Sequence, residues 1–260
     1  MPRTVTVTRY VAPLREGGSL PAIVEADDDG LYVLKFRGAG QGPKALIAEL
    51  VAGEIGRALG LAVPELVFAR LDPALGRSEP DSDIRELIQA SAGLNLALDY
   101  LPGSIAYDPQ LRPRPESGLA SDVVWFDAYV TNVDRTARNT NLLVWHRRLW
   151  LIDHGAALYM HHQWGDIAQT SRSPFRLIRD HVLLRLAGEL PAADERARAR
   201  LDDARLAAIV ALIPDVWLGD EERFPTHAAL RAAYLEYLTR RLAASRAFVE
   251  EAVHARAQIL

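Results

Sequence analysis

The stretch that most constrains the fold covers residues 127–155 and reads DAYVTNVDRTARNTNLLVWHRRLWLIDHG. Two short apolar runs, residues 142–145 and 149–152, are separated by three polar residues, and this pattern predicts a β-hairpin. Several Asn and Asp residues crowd into the positions just before the hairpin, and Asp153 comes directly after it. The hairpin therefore joins two acidic loops. That arrangement is typical of metal-assisted phosphoryl transfer, in which carboxylate and amide oxygens hold Mg²⁺ and the metal neutralises phosphate charge.

The spacing of the polar residues supports the same chemistry. Asn139 follows Asp134 by five positions, as Asn follows Asp in the protein-kinase catalytic loop H-R-D-x-x-x-x-N. The hairpin then leads to Asp153-His154-Gly155, where protein kinases carry Asp-Phe-Gly. In this interpretation Asp134 orients the attacking hydroxyl, while Asn139 and Asp153 hold the metal. The alternative is an ordinary polar loop, in which Asx turns and caps account for the Asn and Asp residues.

The first part of the chain predicts an antiparallel meander. Strand patterns cover residues 4–12, 21–26 and 31–36. The first turn contains Gly17, Gly18 and Ser19, and glycine lets backbone N–H groups approach a phosphate closely. The third strand carries Lys35, in the place where kinases carry the Lys that pairs with nucleotide phosphates. The order of these two features, a glycine turn and then a third-strand Lys, predicts a nucleotide-phosphate site.

A helix is predicted over residues 44–59, and one of its faces consists of small residues around Glu49. Such a face can lie close against a neighbouring element. We therefore predict that Glu49 forms the ion pair with Lys35 that kinases require. Glu54 is the reserve candidate, and a solvated surface carboxylate is the alternative for either residue.

The middle of the chain predicts two more strands, over residues 66–71 and 93–101. In the kinase interpretation the second of these leads into the hinge, where the backbone of Asp99, Tyr100 and Leu101 would hydrogen-bond the adenine. The alternative is an ordinary core strand. Helices are predicted over residues 81–92, 118–130, 171–186, 194–212 and 226–257.

These features together resemble the HipA-like kinase family. The motifs that carry the resemblance are Asn132-x-Asp134-Arg135, Asn139-x-Asn141-Leu142-Leu143, Lys35-Phe36-x-Gly38 and Ala45-Leu46-x-x-Glu49. One more motif, Ile152-Asp153-x-Gly155, is closer to the phosphatidylinositol kinases. The resemblance implies an α+β, bilobal protein-kinase-like fold. An antiparallel-sheet N-lobe with one helix would cover residues 1–101, and a helical C-lobe would cover residues 102–260.

The resemblance also implies a function, which is ATP- and Mg²⁺-dependent transfer of a phosphoryl group to a hydroxyl. A Ser or Thr of a protein is favoured as acceptor over a small molecule or a lipid. Thr136 stands where related loops usually have His, and His154 replaces Phe in the metal turn. These two departures leave the acceptor and any toxin activity open.

Two other functions stay open at this point. One is a non-catalytic nucleotide-binding or scaffold protein on the same fold, although a degenerate site usually lacks Asp134, Asn139 or Asp153, and all three are present. The other is transfer of AMP, which the residue types do not distinguish from phosphoryl transfer. A zinc site is a further alternative, although the spacing of its candidate ligands matches no familiar motif. Those candidates are His154, His161, His162, Asp153 and Asp166.

Composition excludes several classes of protein. The 260-residue chain has no Cys, which excludes disulfides, thiol catalysis and Cys-ligated zinc. Its net charge of −4 argues against nucleic acid as the primary partner. No run of about 18 apolar residues predicts a membrane-spanning helix. The N-terminus lacks an apolar signal core, so we expect a cytoplasmic protein with no membrane partner.

Overall fold

A computed structural model describes residues 2–14, 20–40, 42–110 and 112–260. The predicted phosphate-covering residues Gly17, Gly18 and Ser19 therefore lie outside the described residues. The strands are β1 (Thr4–Pro13), β2 (Ala22–Ala26), β3 (Leu31–Lys35), β4 (Leu66–Leu71), β5 (Gly93–Asp99), β6 (Ile105–Ala106), β7 (Leu142–Trp145) and β8 (Arg148–Leu151). All of them except the short β6 were predicted from the sequence.

The first five strands form a closed barrel in the order β1-β2-β3-β5-β4. The predicted meander is confirmed, because β1 pairs antiparallel with β2 and β2 pairs antiparallel with β3. The prediction of a purely antiparallel sheet is wrong. Strand β1 also pairs in parallel with β4, from Thr4 opposite Phe68 to Thr6 opposite Arg70, and this pairing closes the barrel. A second sheet has the order β6-β7-β8 and contains the predicted hairpin.

The α-helices are α1 (Pro43–Ala58), α2 (Ser82–Ala90), α3 (Ser117–Val130), α4 (Ile167–Thr170), α5 (Leu190–Arg200), α6 (Asp203–Val210), α7 (Asp215–Leu218), α8 (His227–Ala243) and α9 (Arg246–Gln258). Short 3-10 helices cover Pro73–Ser78, Tyr159–His162, Arg176–Asp180 and Leu184–Leu186. Helix α2 confirms the helix predicted over residues 81–92, but the prediction of an N-lobe with one helix is wrong, because both α1 and α2 precede residue 101. Helix α2 begins where Asp81 caps it, accepting a hydrogen bond from the Asp83 N–H at 3.0 Å. No helix among the described residues is both long and apolar enough to cross a membrane.

The three long helices predicted near the C-terminus are each interrupted. Residues 171–186 form two 3-10 turns, because Pro174 disfavours helix in the residue before it and Phe175 adopts a left-handed φ of 56°. Helix α5 ends at Arg200, and Asp202 caps the start of α6 by accepting from the Arg205 N–H at 2.7 Å. A turn at residues 244–245 separates α8 from α9. The apolar periodicity continues across these breaks because both flanking segments bury a face, so the pattern alone could not reveal the turns.

Among the described residues, two groups of buried apolar side chains form the core. The smaller group fills the barrel and extends to α2. The larger group contains α1, the outer faces of β4 and β5, and the helices that follow residue 117. Trp217 of α7 connects the C-terminal helices to β4 and β5. Its ring packs edge-on against Phe68 at 5.6 Å, and its indole N–H donates to the Leu94 carbonyl at 3.0 Å. Residues on either side of the predicted boundary at residue 101 therefore share one core.

One buried cation fixes the end of α3, the helix that leads into the polar loop. Arg241 of α8 donates to the carbonyl oxygens of Ala128 and Tyr129 at 2.7 and 2.8 Å. It also donates to the carbonyls of Ser171 and Ser173. A positive charge at a helix C-terminus is favoured by the helix dipole and satisfies carbonyls that have no partner within the helix. Arg241 thus holds α8, the end of α3 and the segment around residue 172 together.

We predict that Arg241→Met lowers the free energy of unfolding by about 3 kcal/mol, because it leaves several buried carbonyls without donors. Urea denaturation of parent and variant measures this difference. The matched control is Arg246→Met in α9, where the Arg side chain is 87% exposed. We expect the control to unfold at the same urea concentration as the parent. Equal midpoints for the two variants would contradict an anchoring role for Arg241.

Candidate active site

Lys35 lies at the centre of a set of charged groups that come from β3, α1 and the loop after β8. Its Nζ is 2.7 Å from Asp153 Oδ1 and 3.9 Å from Glu49 Oε2. Burial alone would lower the pKa of Lys35, but the two carboxylates outweigh burial and raise the pKa above its usual value. The ammonium therefore keeps its charge in a site from which most water is excluded.

Glu49 connects α1 to the turn that follows the hairpin. Its Oε2 accepts a hydrogen bond from the His154 backbone N–H at 2.9 Å, and its Oε1 lies 3.2 Å from His154 Nδ1. Burial would raise the pKa of Glu49, but Lys35 and His154 lower the pKa to about 2. The His154 ring is itself buried and packs edge-on against Phe126 at 5.6 Å. His154, which stands where protein kinases carry the Phe of Asp-Phe-Gly, is thus held by a hydrogen bond as well as by packing.

Of the two carboxylates proposed from the sequence, Glu49 is the one beside Lys35. Glu54 pairs instead with Arg57 on its own helix, at 3.6 Å. The small residues of α1 explain this placement. A Cβ at Gly53 would come within 2.7 Å of the Leu66 side chain, so the missing side chain lets α1 pack directly on β4. The close approach brings the first half of α1 to the end of β3, where Lys35 lies.

The polar loop surrounds Asp134 with amide groups. Asp134 Oδ2 accepts from Asn139 Nδ2 at 2.7 Å and from Asn141 Nδ2 at 3.2 Å. The backbone N–H of Asp134 donates to Asn132 Oδ1 at 3.2 Å. An amide that donates through its nitrogen still carries an acceptor oxygen. The loop therefore presents one carboxylate and several amide oxygens, which are ligands that Mg²⁺ accepts.

Asn141 is a site residue to which the sequence interpretation gave no role. It immediately precedes β7, and its carbonyl accepts from the Ile152 N–H at 3.1 Å. Asn141 therefore pairs with Ile152, the residue that precedes Asp153. Asn141 is buried, whereas Asn139 is exposed. Both Asn141 and Asp153 adopt left-handed backbone conformations, with φ of 46° and 55°, which Asn and Asp tolerate better than most residues. The signal that could have found Asn141 is its position at the start of the apolar run.

The carboxylate of Asp127 is also buried, and it contacts residues of the polar loop that contains Asp134. Asp127 of α3 accepts from Arg135 Nε at 2.6 Å, from His181 Nε2 at 2.9 Å and from Asn132 Nδ2 at 2.9 Å. Burial would raise the pKa of Asp127, but Arg135 and His181 hold that pKa well below its usual range. The sequence interpretation did not include Asp127 or His181, because 54 residues separate them along the chain.

The predicted hinge residues are only partly free to bind a ligand. The Asp99 N–H donates to the Glu65 carbonyl at 2.9 Å, and the Tyr100 N–H donates to the Leu31 carbonyl at 3.0 Å. These two N–H groups are therefore occupied within the barrel. Of the three predicted residues, Leu101 is the one for which an N–H contact to adenine remains a prediction.

Two of the three histidines considered for a zinc site form hydrogen bonds with other side chains. His154 bonds Glu49, and His161 Nδ1 lies 3.0 Å from the Tyr234 hydroxyl. Asp166 caps α4 by accepting from the Gln169 N–H at 3.2 Å. Within residues 2–14, 20–40, 42–110 and 112–260, no three His, Asp or Glu side chains converge in a way that could hold a metal ion. The described structure gives the zinc alternative no support.

Comparison with known proteins gives a family and a fold. A sequence model described as HipA-like kinase matches residues 7–251. The proinflammatory kinase CtkA of Helicobacter pylori is 15% identical, with a TM-score of 0.55 and coverage of 99% of each chain. The Golgi casein kinase is 12% identical in two structures, of which one has Mn/ADP bound, with TM-scores of 0.53 and 0.54. In both, the match covers 96% of this chain and 74% of the other. No curated protein sequence matches this chain.

We predict that Glu49→Gln lowers the free energy of unfolding at pH 7 by about 3 kcal/mol, because it removes a charge that pairs with buried cationic groups. The pKa of Glu49 is about 2 in the folded protein, below the ordinary 4.5. Its stabilisation is therefore complete above pH 4.5 and is lost as the pH falls toward 2. The difference between parent and variant in urea unfolding should shrink over the same range.

Glu54→Gln is the matched control on the same helix. Burial raises the pKa of Glu54, so the charged form is disfavoured in the folded protein. Replacing it should not destabilise the protein at pH 7. A loss for Glu49→Gln that is the same at pH 7 and pH 3, or is matched by Glu54→Gln, would show that the ion pair is not its cause.

Proposed function

The chain belongs to the HipA-like kinase family, and from this premise we propose that it transfers the γ-phosphoryl group of ATP to a hydroxyl, with Mg²⁺ as cofactor. The observation that carries the proposal is the set of contacts that joins Lys35, Glu49 and Asp153 at one end of the hairpin. Phosphoryl transfer depends on positioning and on neutralisation of charge, and this set places a buried cation beside a carboxylate that can bind metal.

In the proposed mechanism each charged group has its own role. Lys35, kept charged and oriented by Glu49, would pair with the phosphates, and Gly17, Gly18 and Ser19 are the residues proposed to cover them. Asp134 orients the acceptor hydroxyl and takes up its proton. Asp153 would hold the metal through its carboxylate, and the metal would supply neutralisation of the charge on the phosphate oxygens.

The amide oxygen that completes the metal site is proposed to come from the loop. Spacing favours Asn139, but backbone geometry favours Asn141, since its carbonyl bonds Ile152, the neighbour of Asp153. Asn141 is also buried, so less side-chain freedom is lost when it binds a metal. We therefore assign the metal-holding amide to Asn141 and keep Asn139 as a group that bonds Asp134 from the solvent side.

A protein Ser or Thr is the proposed acceptor. The name of the Golgi casein kinase gives a protein as its substrate, and the bound Mn/ADP in one of its structures supports nucleotide and divalent-metal binding on this fold. A small-molecule acceptor and AMP transfer are the alternatives. Mass spectrometry of protein incubated with Mg-ATP distinguishes the two transfers, because an added phosphate and an added AMP differ in mass.

We predict different effects for replacement of the two aspartates. Asp153→Asn removes a charge from the metal site, so Mg-ATP should bind at least about tenfold more weakly and turnover should fall with it. Asp134→Asn removes a group that acts when the acceptor reacts, so Mg-ATP affinity should stay and kcat should fall by about 100-fold. Calorimetry measures the affinity, and ATP hydrolysis measures turnover while the acceptor is unknown. If Asp134→Asn weakens Mg-ATP binding and Asp153→Asn does not, the two roles are reversed. If neither variant changes turnover, the proposed function is refuted.

We also predict that Asn141→Ala weakens binding of Mn-ADP more than Asn139→Ala does, because only Asn141 is fixed by the backbone next to Asp153. Calorimetric titration of each variant with Mn-ADP gives the comparison, and nucleotide without metal serves as the control. A larger loss in Asn139→Ala would return the metal-holding role to the residue that spacing favours.

A further inference from the structure

The polar loop that contains Asp134 is held in place by the carboxylate of Asp127, which is fully buried. Both oxygens of Asp127 are engaged, Oδ1 by Asn132 and Oδ2 by Arg135 and His181. A buried charge is costly unless it is paired and hydrogen-bonded, so these three donors are required wherever Asp127 stays ionised. Two of them, Asn132 and Arg135, flank Asp134 in the sequence. The hydrogen bonds that Asn132 and Arg135 make with Asp127 of α3 therefore restrain the position of Asp134.

Arg135 also contacts the backbone at both ends of the hairpin. Its Nη1 donates to the carbonyl of Asn141, and it lies 3.4 Å from the carbonyl of Ile152, the residue before Asp153. Arg135 is only 1% exposed. Its charge is thus compensated inside the protein. In many kinases an Arg instead receives a phosphate from the activation loop, which orders that loop. Arg135 cannot reach such a phosphate while it is bound to Asp127.

His181 connects the end of the segment that follows the hairpin to the same carboxylate, that of Asp127. Its Nδ1 accepts from the Leu183 N–H at 3.0 Å, which places the ring proton on Nε2, where it is donated to Asp127. The Val182 N–H donates to the Arg135 carbonyl at 3.1 Å, and Thr136 and His181 form a β-bridge. Residues 154–181 are therefore fixed at their start by Glu49 and at their end by Asp127.

We propose that Asp127 is a positioning residue that serves as a built-in counter-charge to Arg135. Together with His181 it holds the Asp134 loop in its working position, so that no phosphate on residues 154–180 is needed. This inference rests on the proposed phosphoryl transfer, because that reaction gives the position of Asp134 its importance. Asp127 acts through its hydrogen-bond partners Arg135, Asn132 and His181, and not by touching the reacting groups itself.

His181 variants test the proposal, because Asp127→Asn would leave Arg135 buried without a counter-charge and could unfold the chain. His181→Leu removes the donor, and His181→Gln keeps an N–H donor. His161→Leu is the matched control, since His161 is also buried and also bonds one side chain, that of Tyr234. All variants are prepared free of covalent phosphate, as checked by intact mass.

We expect His181→Leu to lower kcat for ATP hydrolysis by about 10- to 100-fold with little change in Mg-ATP affinity, since a small displacement of a catalytic group has such an effect. His181→Gln should recover most of the activity. His161→Leu should keep the activity of the parent. Hydrogen exchange of the amides of residues 132–141 should be faster in His181→Leu than in His161→Leu.

Two outcomes would overturn the proposal. One is an equal kcat and equal exchange in the two Leu variants. The other is a phosphate-free parent that is inactive until residues 154–180 are phosphorylated. A parent that neither binds Mg-ATP nor hydrolyses it would instead refute the proposed function. In that case the hydrogen-exchange comparison still decides whether His181 and Asp127 order the loop.

Discussion

The buried carboxylate of Glu49 is the contact on which the arrangement of the site depends. It lies between the ammonium of Lys35, at the end of a barrel strand, and the backbone and ring of His154, after the hairpin. Removing one member of a buried pair leaves an uncompensated charge, and that loss is larger than the gain from forming the pair. The barrel, α1 and the hairpin turn are therefore held in one relative position, in which Lys35 reaches Asp153.

The same rule operates at two other places around α3. This helix is buried on nearly all sides, so its apolar residues fix its position but not the direction of the loop that follows it. Asp127 fixes that direction through Arg135 and His181, while Arg241 satisfies the carbonyls at the end of the helix. Phosphoryl transfer needs this kind of preorganisation, because the reaction gains from groups that are in place before charge develops.

Strands and early helices could be predicted because their signals are local. Alternation in β1 to β5 and the small residues of α1 reflect neighbours that lie on one side of each element. The closing pair of β1 with β4 joins residues that are more than sixty positions apart, and no local pattern encodes such a pairing. The helices after residue 171 were predicted too long, because the periodicity that marks a buried face continues through a turn when both flanking segments pack on the same core.

For the site, the sequence alone determined the types of chemical group and their order along the chain. Lys35, Glu49, Asp134, Asn139 and Asp153 were predicted as site residues from their order, their spacing and their positions on a strand, a helix and a loop, all of which are short-range features. Only the tertiary structure decided between Glu49 and Glu54, placed Asn141 beside the neighbour of Asp153, and brought His181 to Asp127. Each of these results is a contact between distant segments. Such contacts depend on how buried charges find partners once the core has formed, and a one-dimensional pattern does not record that pairing.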